Sequence, residues 1–354
     1  MKYIWEKTMR PKLYENLVEA SDLIQLVRKL VGVSVYTLKT TRGGKITAEF
    51  TFVGFVCFAI WYSVYFYCAY IIFTTDQTIL RSLYYTKLQR YGDEVERTVT
   101  MIFVLYTMWK LPFNTNMNFK YIQQLVDIDR EIEKLGETIN FSKSAQSTLV
   151  TMAIETGVTF ARILSIWVSL ANLNTPFPFE KVFQVVYSDT LALVTTAQYC
   201  AYLNLLKDRY HTVNKVLASI ENTKNWGQLI AVVEKKTGRG PNIMSFKDKC
   251  MADKIRSCGR IYGMLYNASE TANKKYGWSI ALTMLMSIIL IILYLFYFME
   301  ATASGLFHEF NRYAKFLTYV FWQILYAICI IFLCVYHCTA TVNEVGSYIL
   351  IILK

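Results

Sequence analysis

The sequence predicts an all-α protein, a polytopic bundle of helices that crosses the membrane several times. Hydrophobic residues make up 54% of its 354 residues and charged residues only 18%, whereas about a quarter of a soluble domain is charged. Two runs of 24 residues contain no charged side chain. In so apolar a chain, the net charge of +11 indicates loops beside anionic lipid and predicts no nucleic-acid partner.

Three runs without a charged residue are long enough to span the membrane. They cover residues 50–73, 276–299 and 316–343. A helix of 24 residues is about 36 Å long at a rise of ~1.5 Å per residue, which exceeds the ~30 Å hydrocarbon core. These runs are the predicted first, fifth and sixth spans, the last two within residues 276–343.

Three further runs are apolar but contain charged side chains, and they are the predicted second, third and fourth spans. A charge in the middle of the membrane costs a few kcal/mol, so we expect these helices to face protein or water rather than lipid. Spans one to four then occupy residues 49–206. The three runs are 98–116 with Lys110, 147–173 with Glu155 and Arg162, and 181–206 with Asp189.

The distribution of basic residues predicts the orientation of the chain in the cell membrane. With six spans, 28 Lys and Arg residues fall on the side of the N-terminus and 7 on the opposite side. Basic loops stay in the cytosol, so the N-terminus is predicted to be cytosolic. Residues 1–48 form the first cytosolic segment, in which apolar residues at helical spacing predict a helix over 13–30.

The long fourth loop, residues 207–275, carries apolar residues at alternating steps of three and four. This spacing is typical of helices with an apolar seam. It predicts that spans four and five continue into the cytosol as long helices, joined by a turn over 221–250. Two interpretations of this hairpin stay open, an ordinary helical connection and a region through which subunits assemble. The residues that carry the pattern are Leu206, Tyr210, Val213, Leu217, Ile220, Met251, Ile255, Cys258, Tyr262, Leu265, Ser269, Ala272 and Tyr276.

The charges inside the spans can be paired by their depth. Arg162 and Asp189 both lie in the outer half of neighbouring spans, and pairing is the least costly way to bury either charge. Lys110 and Glu155 lie near the inner ends of their spans and make a second candidate pair. Two interpretations are open here as well, structural ion pairs or the polar wall of a ligand cavity.

Aromatic and amide side chains gather around the same outer half. Pockets for small organic molecules are mostly aromatic with a few polar groups, so this set is a candidate ligand site. Core packing or an interfacial aromatic belt would produce the same composition. The candidate ligand-binding residues are Arg162, Trp167, Asn172, Tyr187, Asp189, Phe298, Tyr319, Trp322 and Gln323.

No motif in the sequence predicts an enzyme, a cofactor or a metal site. The chain contains no Walker-type phosphate loop, no HExxH, no CxxC and no GxSxG. Its histidines, His211, His308 and His337, are far apart along the chain. A membrane transporter stays an alternative, although we find no repeated halves of the kind that transporters often show.

A second alternative is a G-protein-coupled receptor, since Asp208, Arg209 and Tyr210 resemble the DRY triplet of that family. In those receptors the triplet follows the third span, the N-terminus is extracellular, and NPxxY and Trp-x-Pro motifs are present. Here the triplet follows the fourth predicted span, the N-terminus is predicted to be cytosolic, and neither other motif occurs.

Four segments resemble the insect gustatory receptor family, part of the insect chemoreceptor superfamily. LNLLKDRYHTVNKVL at 203–217 is similar to the run after the fourth span of that family, and the segment 254–282 to the run entering the fifth. HCTATVNE at 337–344 is similar to the stretch leaving the sixth span, and VDIDREIEKLG at 126–136 to the second loop. The cytosolic N-terminus agrees with the same family.

The resemblance implies a seven-span fold, of which this chain carries six. The family ends with Thr-Tyr, five apolar residues and Gln-Phe in its seventh span. Thr318, Tyr319 and Gln323 match that signature only superficially, because the spacing is shorter and they lie in the sixth predicted span. Residues 345–353 are too short to cross the membrane, so we expect a chain truncated before the seventh span. Residues 344–354 are then the start of a truncated C-terminal cytosolic segment.

What the resemblance implies about function is a taste receptor of the cell membrane. Members of the family are subunits of ligand-gated, nonselective cation channels that assemble as homo- or hetero-tetramers with other gustatory receptors. The expected ligand is a small organic tastant, with bitter compounds as the first choice. The cavity of the family lies among its second to sixth helices, in the outer half, where the candidate residues of this chain gather.

Overall fold

The computed structural model describes residues 22–40, 46–75, 87–113, 115–170, 178–237, 242–305, 308 and 310–353. Nearly all of these residues are helical, and a small antiparallel hairpin lies near the N-terminus. The all-α class is therefore confirmed. In chain order the elements are α1 (Asp22–Leu30), β1 (Tyr36–Thr40), β2 (Ile46–Phe50), α2 (Phe52–Thr75), α3 (Lys87–Lys110), α4 (Thr115–Lys134), α5 (Phe141–Leu170), α6 (Phe179–Thr237), α7 (Asn242–Ala303) and α8 (Phe310–Leu353).

Within the described residues, four helical segments are long and apolar enough to cross a membrane. They are Phe52–Thr75, Ser144–Ser169, Met251–Ala303 and Phe310–Gly346, and they contain most of the predicted first, third, fifth and sixth spans. The protein is a multi-pass membrane protein. The predicted second and fourth spans lie in α3 and α6, where charged residues reduce the apolar character. The count of six spans and the cytosolic N-terminus stay predictions.

Helices α5 and α6, which are consecutive in the chain, run in opposite directions. Ser144, near the start of α5, donates to Asp208 of α6 at 2.6 Å, and Ser147 accepts from Asn204 at 3.1 Å. Near the other end of α5, Arg162 reaches Asp189 of α6. Residue numbers rise on one helix as they fall on the other, so α5 and α6 are antiparallel.

Helix α8 runs parallel to α6 and packs against both α5 and α6. Its Tyr326 donates to the backbone oxygen of Asp189 at 3.5 Å, and its His337 lies 3.0 Å from the side-chain oxygen of Asn204. Both contacts join residues separated by nearly the same number of positions. The helices α5, α6 and α8 thus form a three-helix core, in which α6 and α8 stay in nearly the same register along their length.

The predicted second span ends earlier than expected. Helix α3 covers Lys87–Lys110 rather than continuing to residue 116, and Leu111–Phe113 form a turn. Pro112 explains the difference, because proline has no backbone N–H and disfavours helical geometry in the residue before it. Lys110 is therefore the last residue of its helix.

The prediction of a turn over 221–250 was wrong. Helix α6 continues to Thr237 and α7 begins at Asn242. Within residues 228–236 the good helix formers Gln, Leu, Ala, Glu and Lys predominate, whereas the strong helix breakers Gly238, Gly240 and Pro241 fall between the two helices. With 59 residues at ~1.5 Å each, α6 is about 88 Å long and extends far beyond a membrane. The helices α6 and α7 thus agree with the predicted long extensions of spans four and five, and they are longer than expected.

The described part of the N-terminal segment contains α1, which lies within the helix predicted over 13–30, and the hairpin, in which Tyr36 lies opposite Phe50. The β-branched and aromatic side chains of these strands favour the extended conformation. Ahead of it, α1 packs on the bundle through Ile24, which contacts Ala197 and Ala201 of α6. The sequence pattern predicted the helix, but neither the hairpin nor the contact of α1 with α6. At the other end of the chain, residues 344–353 continue α8 without a break.

Helix α4, which follows the predicted second span, is held against α6 by a ring stack and a buried ion pair. The rings of Tyr121 and Tyr202 lie 4.3 Å apart, and the Tyr121 hydroxyl donates to the Tyr202 backbone oxygen at 2.9 Å. About two turns further along both helices, Arg209 pairs with Asp129. These contacts fix the register of α4 against α6 and leave the other side of α4 to α7.

Candidate ligand site

The antiparallel packing of α5 and α6 brings Arg162 and Asp189 together in the bundle interior. The Nη1 atom of Arg162 lies 2.5 Å from Oδ1 of Asp189. Both side chains are almost fully buried, at 3% and 2% exposure. This is the pair expected from matching depth, and each charge offsets much of the cost of burying the other.

Helix α8 completes the surroundings of the arginine. Its Gln323 accepts a hydrogen bond from Nε of Arg162, and the guanidinium lies over the ring of Tyr326 at 4.4 Å. The planar guanidinium donates from its edge and stacks on its face, which lysine could not do. Arg162, Asp189, Gln323 and Tyr326 are called the polar cluster below.

Two atoms of the polar cluster remain without a partner. Among the described residues, neither Oδ2 of Asp189 nor Nε2 of Gln323 has a hydrogen-bond partner, and both side chains are buried. Leaving a buried polar atom unpaired costs about 1–3 kcal/mol, so such atoms are uncommon. One atom accepts and the other donates. A hydroxyl or amide group between them would satisfy both.

A tyrosine relay extends the buried polar surface toward α3 and α7. The Tyr294 hydroxyl donates to Glu96 Oε2 at 3.2 Å and lies 3.2 Å from the hydroxyl of Tyr319. All three side chains are buried. Of these residues, only Tyr319 was a predicted ligand-site residue, and the structure places it in this relay.

Sequence reasoning missed Glu96, Tyr294 and Tyr326. Glu96 lies two positions before the predicted second span, so it was not counted among the charges inside the membrane. Because α3 begins at Lys87, Glu96 in fact lies within a helix that packs on α7. Tyr326 lies three positions after Gln323, on the same face of α8, and that spacing could have identified it.

Several predicted site residues lie elsewhere. Trp167 is 61% exposed and points away from the bundle. Tyr187 stacks against Trp61 and donates to the backbone oxygen of Val31 at 3.2 Å, so it packs with the N-terminal segment. Two positions on a helix differ by about 200°, which turns Tyr187 away from Asp189.

For two other predicted residues the structure shows packing contacts. Phe298 is partly buried and packs against the hydrophobic core. Trp322 is partly buried and makes an edge contact with Phe321 at 5.6 Å. Asn172 lies outside the described residues.

The predicted pair of Lys110 and Glu155 is not formed. Lys110 donates instead to the hydroxyl of Tyr106, one turn earlier on α3, at 2.5 Å. Neither carboxylate oxygen of Glu155 has a hydrogen-bond partner in the described part of the chain. The physical reason is that α3 packs mainly against α7, whereas α5 packs against α6 and α8. The two residues lie at similar depth, but their helices do not face each other.

The geometry defines a helical, multi-pass membrane protein with a buried polar site between α5, α6 and α8. The sequence model of the 7tm chemosensory receptor family matches residues 27–352, and the chain belongs to this family, which includes the insect gustatory and odorant receptors. It is a family of receptors for small molecules, not of enzymes. No curated protein sequence matches the chain.

The four segments that carried the resemblance to gustatory receptors meet in the structure. Asp129 of the second-loop segment pairs with Arg209 of the segment after span four. Glu131 pairs with Arg260 of the segment entering span five. Glu344, which ends the fourth segment, accepts from Asn214 through its backbone oxygen at 2.8 Å. Residues spread over more than 200 positions of sequence thus form one layer at one end of the predicted spans.

Proposed function

We propose that the chain is a gustatory receptor and a subunit of a ligand-gated, nonselective cation channel. Its ligand is a small organic tastant that binds at the polar cluster. The observation that carries this proposal is the unpaired acceptor at Asp189 and the unpaired donor at Gln323, both buried beside an ion pair. The two unpaired atoms have lost their contacts with water, and a ligand that bonds to both would compensate for that loss.

The chemistry of the polar cluster favours a neutral ligand with a hydroxyl or amide group. Arg162 and Asp189 already neutralise each other, so a ligand with a net charge would leave one buried charge uncompensated. The rings of Tyr326 and Tyr319 supply apolar surface, as is usual in pockets for small molecules. We therefore expect ligands that combine a small polar group with an apolar or ring-shaped body.

The long cytosolic extensions of α6 and α7 support the proposal of a tetramer. Residues 207–237 of α6 and 242–275 of α7 are helical and extend past the predicted spans. We expect subunits to assemble through these extensions. Arg209, at the centre of the DRY-like triplet, is fully buried in the middle of α6 and bonded to Asp129. In this position it supports a packing role rather than contact with a G protein.

Patch-clamp recording tests this proposal. The full chain, co-expressed with a conducting member of the same family, should give a cation current when a tastant is applied. The current should persist when G-protein signalling is blocked and should reverse with the cation gradient. Dependence on G-protein signalling would instead support a receptor of that class, and reversal that follows a substrate gradient would support a transporter.

The same recordings with two variants test the site. Asp189→Asn should raise the tastant concentration for half-maximal current by about tenfold or more, the equivalent of ~1.4 kcal/mol. The reason is that the amide keeps one acceptor oxygen and replaces the other with a donor NH2 group. Glu94→Gln, on the exposed face of α3, is the matched control and should leave it unchanged. Equal responses from both variants would contradict a ligand site at Asp189.

A further inference from the structure

The carboxylate of Glu96, on α3, accepts the hydroxyl proton of a buried tyrosine. The hydroxyl of Tyr294, on α7, donates to Oε2 of Glu96 at 3.2 Å, and both side chains are buried. A carboxylate has no proton of its own and only accepts hydrogen bonds, whereas a phenol has a single proton to donate. The one proton of Tyr294 is therefore committed to Glu96.

This commitment sets the direction of the next hydrogen bond in the tyrosine relay. The hydroxyl oxygens of Tyr294 and Tyr319 lie 3.2 Å apart, and in an isolated pair either hydroxyl could be the donor. Because the proton of Tyr294 already points to Glu96, the proton between the two oxygens must belong to Tyr319. Tyr319 thus donates to Tyr294, and the oxygen of Tyr319 keeps its capacity to accept.

Tyr319 borders the polar cluster. It lies one turn before Gln323 on the same face of α8. The guanidinium of Arg162 interacts electrostatically with the hydroxyls of both Tyr319 and Tyr294. Tyr319 is only 3% exposed, so bulk water has little access to its oxygen. The direction of the relay therefore decides which kind of hydrogen-bonding group Tyr319 offers beside the polar cluster.

We propose that Glu96 is a positioning residue that determines the specificity of the tastant site through Tyr294 and Tyr319. It holds the hydrogen bonds of the relay in one direction, and Tyr319 then presents an acceptor to the ligand. The site selects tastants whose polar group has a proton to donate, such as an alcohol or an amide N–H, over ethers and ketones of similar shape. The inference deepens the proposed function and rests on it, because it concerns the ligand of the polar cluster.

The selection follows from the cost of unpaired acceptors in a buried site. Tyr319 and Oδ2 of Asp189 are both acceptors there, and an ether or a ketone adds a further acceptor without supplying a proton. An alcohol supplies a proton and satisfies one of them. Leaving that acceptor unpaired should weaken binding by about tenfold.

Benzyl alcohol and benzyl methyl ether are matched probes, since they share a ring and only the alcohol can donate. The Kd of each radiolabelled probe for the full-length protein in lipid nanodiscs is measured by equilibrium dialysis, and empty nanodiscs correct for partition into lipid. Wild type should bind the alcohol about tenfold more tightly than the ether.

Two variants of the relay should reduce this ratio to about threefold or less. In Tyr294→Phe, Tyr319 loses its acceptor and is free to donate to the ether oxygen. In Glu96→Gln, the amide offers a donor as well as an acceptor, so the direction of the relay is no longer fixed. Glu94→Gln, on the exposed face of the same helix, is the matched control and should keep the ratio of wild type.

Vibrational spectra test the relay without any ligand. The infrared difference between wild type and Glu96→Gln near neutral pH should contain the bands of a carboxylate and not those of a protonated carboxyl group. The Raman doublet of Tyr319, isolated by subtracting the spectrum of Tyr319→Phe, should be that of a donating hydroxyl. This signature should weaken in Glu96→Gln and disappear in Tyr294→Phe, whereas a purely structural role of Glu96 would leave it unchanged.

Asp189→Asn distinguishes failure of this inference from failure of the proposed function. Weaker binding of the alcohol in Asp189→Asn, with an unchanged probe ratio in Glu96→Gln, would contradict only the role of Glu96. Unchanged binding in Asp189→Asn would contradict the ligand site itself. A protonated carboxyl group at Glu96, a Tyr319 signature that persists in Tyr294→Phe, or a wild type without preference for the alcohol would each overturn the inference.

Discussion

Arg209 of α6 donates two hydrogen bonds to Asp129 of α4, from Nε to Oδ1 and from Nη2 to Oδ2, each 2.7 Å long. The guanidinium is fully buried, and its third contact is to the backbone oxygen of Leu205 at 2.7 Å. This two-pronged pair joins the second-loop segment to the segment after span four. It gives the arginine of the DRY-like triplet a structural role, because the guanidinium is fully buried and bonded within the bundle.

The first prediction concerns this pair. Asp129→Asn leaves the buried guanidinium of Arg209 uncompensated and should lower the free energy of unfolding by about 3–5 kcal/mol. The double change Asp129→Asn with Arg209→Met should recover much of that loss, since both charges are gone. Thermal unfolding of the purified variants measures the difference. A double variant that is less stable than the single one would refute the interpretation.

The second prediction concerns Arg162 and Asp189. Arg162→Ala leaves a buried carboxylate, whereas Arg162→Ala with Asp189→Ala removes both charges. The single variant should therefore be the less stable of the two, by roughly 1–3 kcal/mol. The yield of folded protein and the unfolding temperature report on it. If the two variants are equally stable, the charges do not interact in the folded protein.

The third prediction compares two glycines in helices. A Cβ atom at Gly54 would lie 2.6 Å from the backbone oxygen of Ser34, so Gly54→Ala should push the hairpin away from α2. At Gly157 of α5 no atom outside the helix lies within 4 Å, and Gly157→Ala should stabilise the helix by up to about 1 kcal/mol.

Hydrogen exchange of the hairpin measures this effect. Amides of residues 36–40 and 46–50 should exchange faster in Gly54→Ala and at the original rate in Gly157→Ala. Similar exchange in both variants would show that the close approach of the hairpin to α2 does not constrain it.

The fourth prediction concerns pH. A hydrogen bond from Lys134, 2.6 Å away, and the charge of Arg260 lower the pKa of Glu131 below its ordinary value of 4.5, against a smaller opposing effect of burial. Because the pKa is lowered in the folded state, the pairing stabilises the protein above pH 4.5 and loses this effect as the pH falls through the lowered pKa.

Thermal unfolding as a function of pH tests this sign. Wild type should unfold at a higher temperature than Glu131→Gln near neutral pH, and the difference should vanish in acid. Glu133→Gln changes an exposed carboxylate on the same helix and is the matched control. A difference that grows as the pH falls would contradict the assignment.

Much of the architecture follows from the sequence, because long uncharged runs have few alternatives to membrane helices. Depth along a helix also predicted that Arg162 and Asp189 would meet. The same argument failed for Lys110 and Glu155, because depth gives the height of a residue and not the side of the helix that faces a neighbour. That side depends on which helices pack together.

Other features depend on tertiary contacts that no local pattern reveals. The hairpin of Tyr36–Thr40 and Ile46–Phe50 lies in a segment that resembles a polar connector. Its strands are stable because they pack on α2 and α4, for example where the backbone N–H of Ile46 donates to Gln123 at 3.4 Å. The relay through Glu96 and Tyr294 likewise exists only because α3 packs on α7.

A structure of the receptor with a bound tastant tests the central claim most directly. We expect the ligand to lie against the polar cluster, with polar atoms within about 3.2 Å of Asp189 Oδ2 and Gln323 Nε2. The ion pair of Arg162 with Asp189 should remain intact. A ligand bound elsewhere, with both of these atoms still unpaired, would contradict the account.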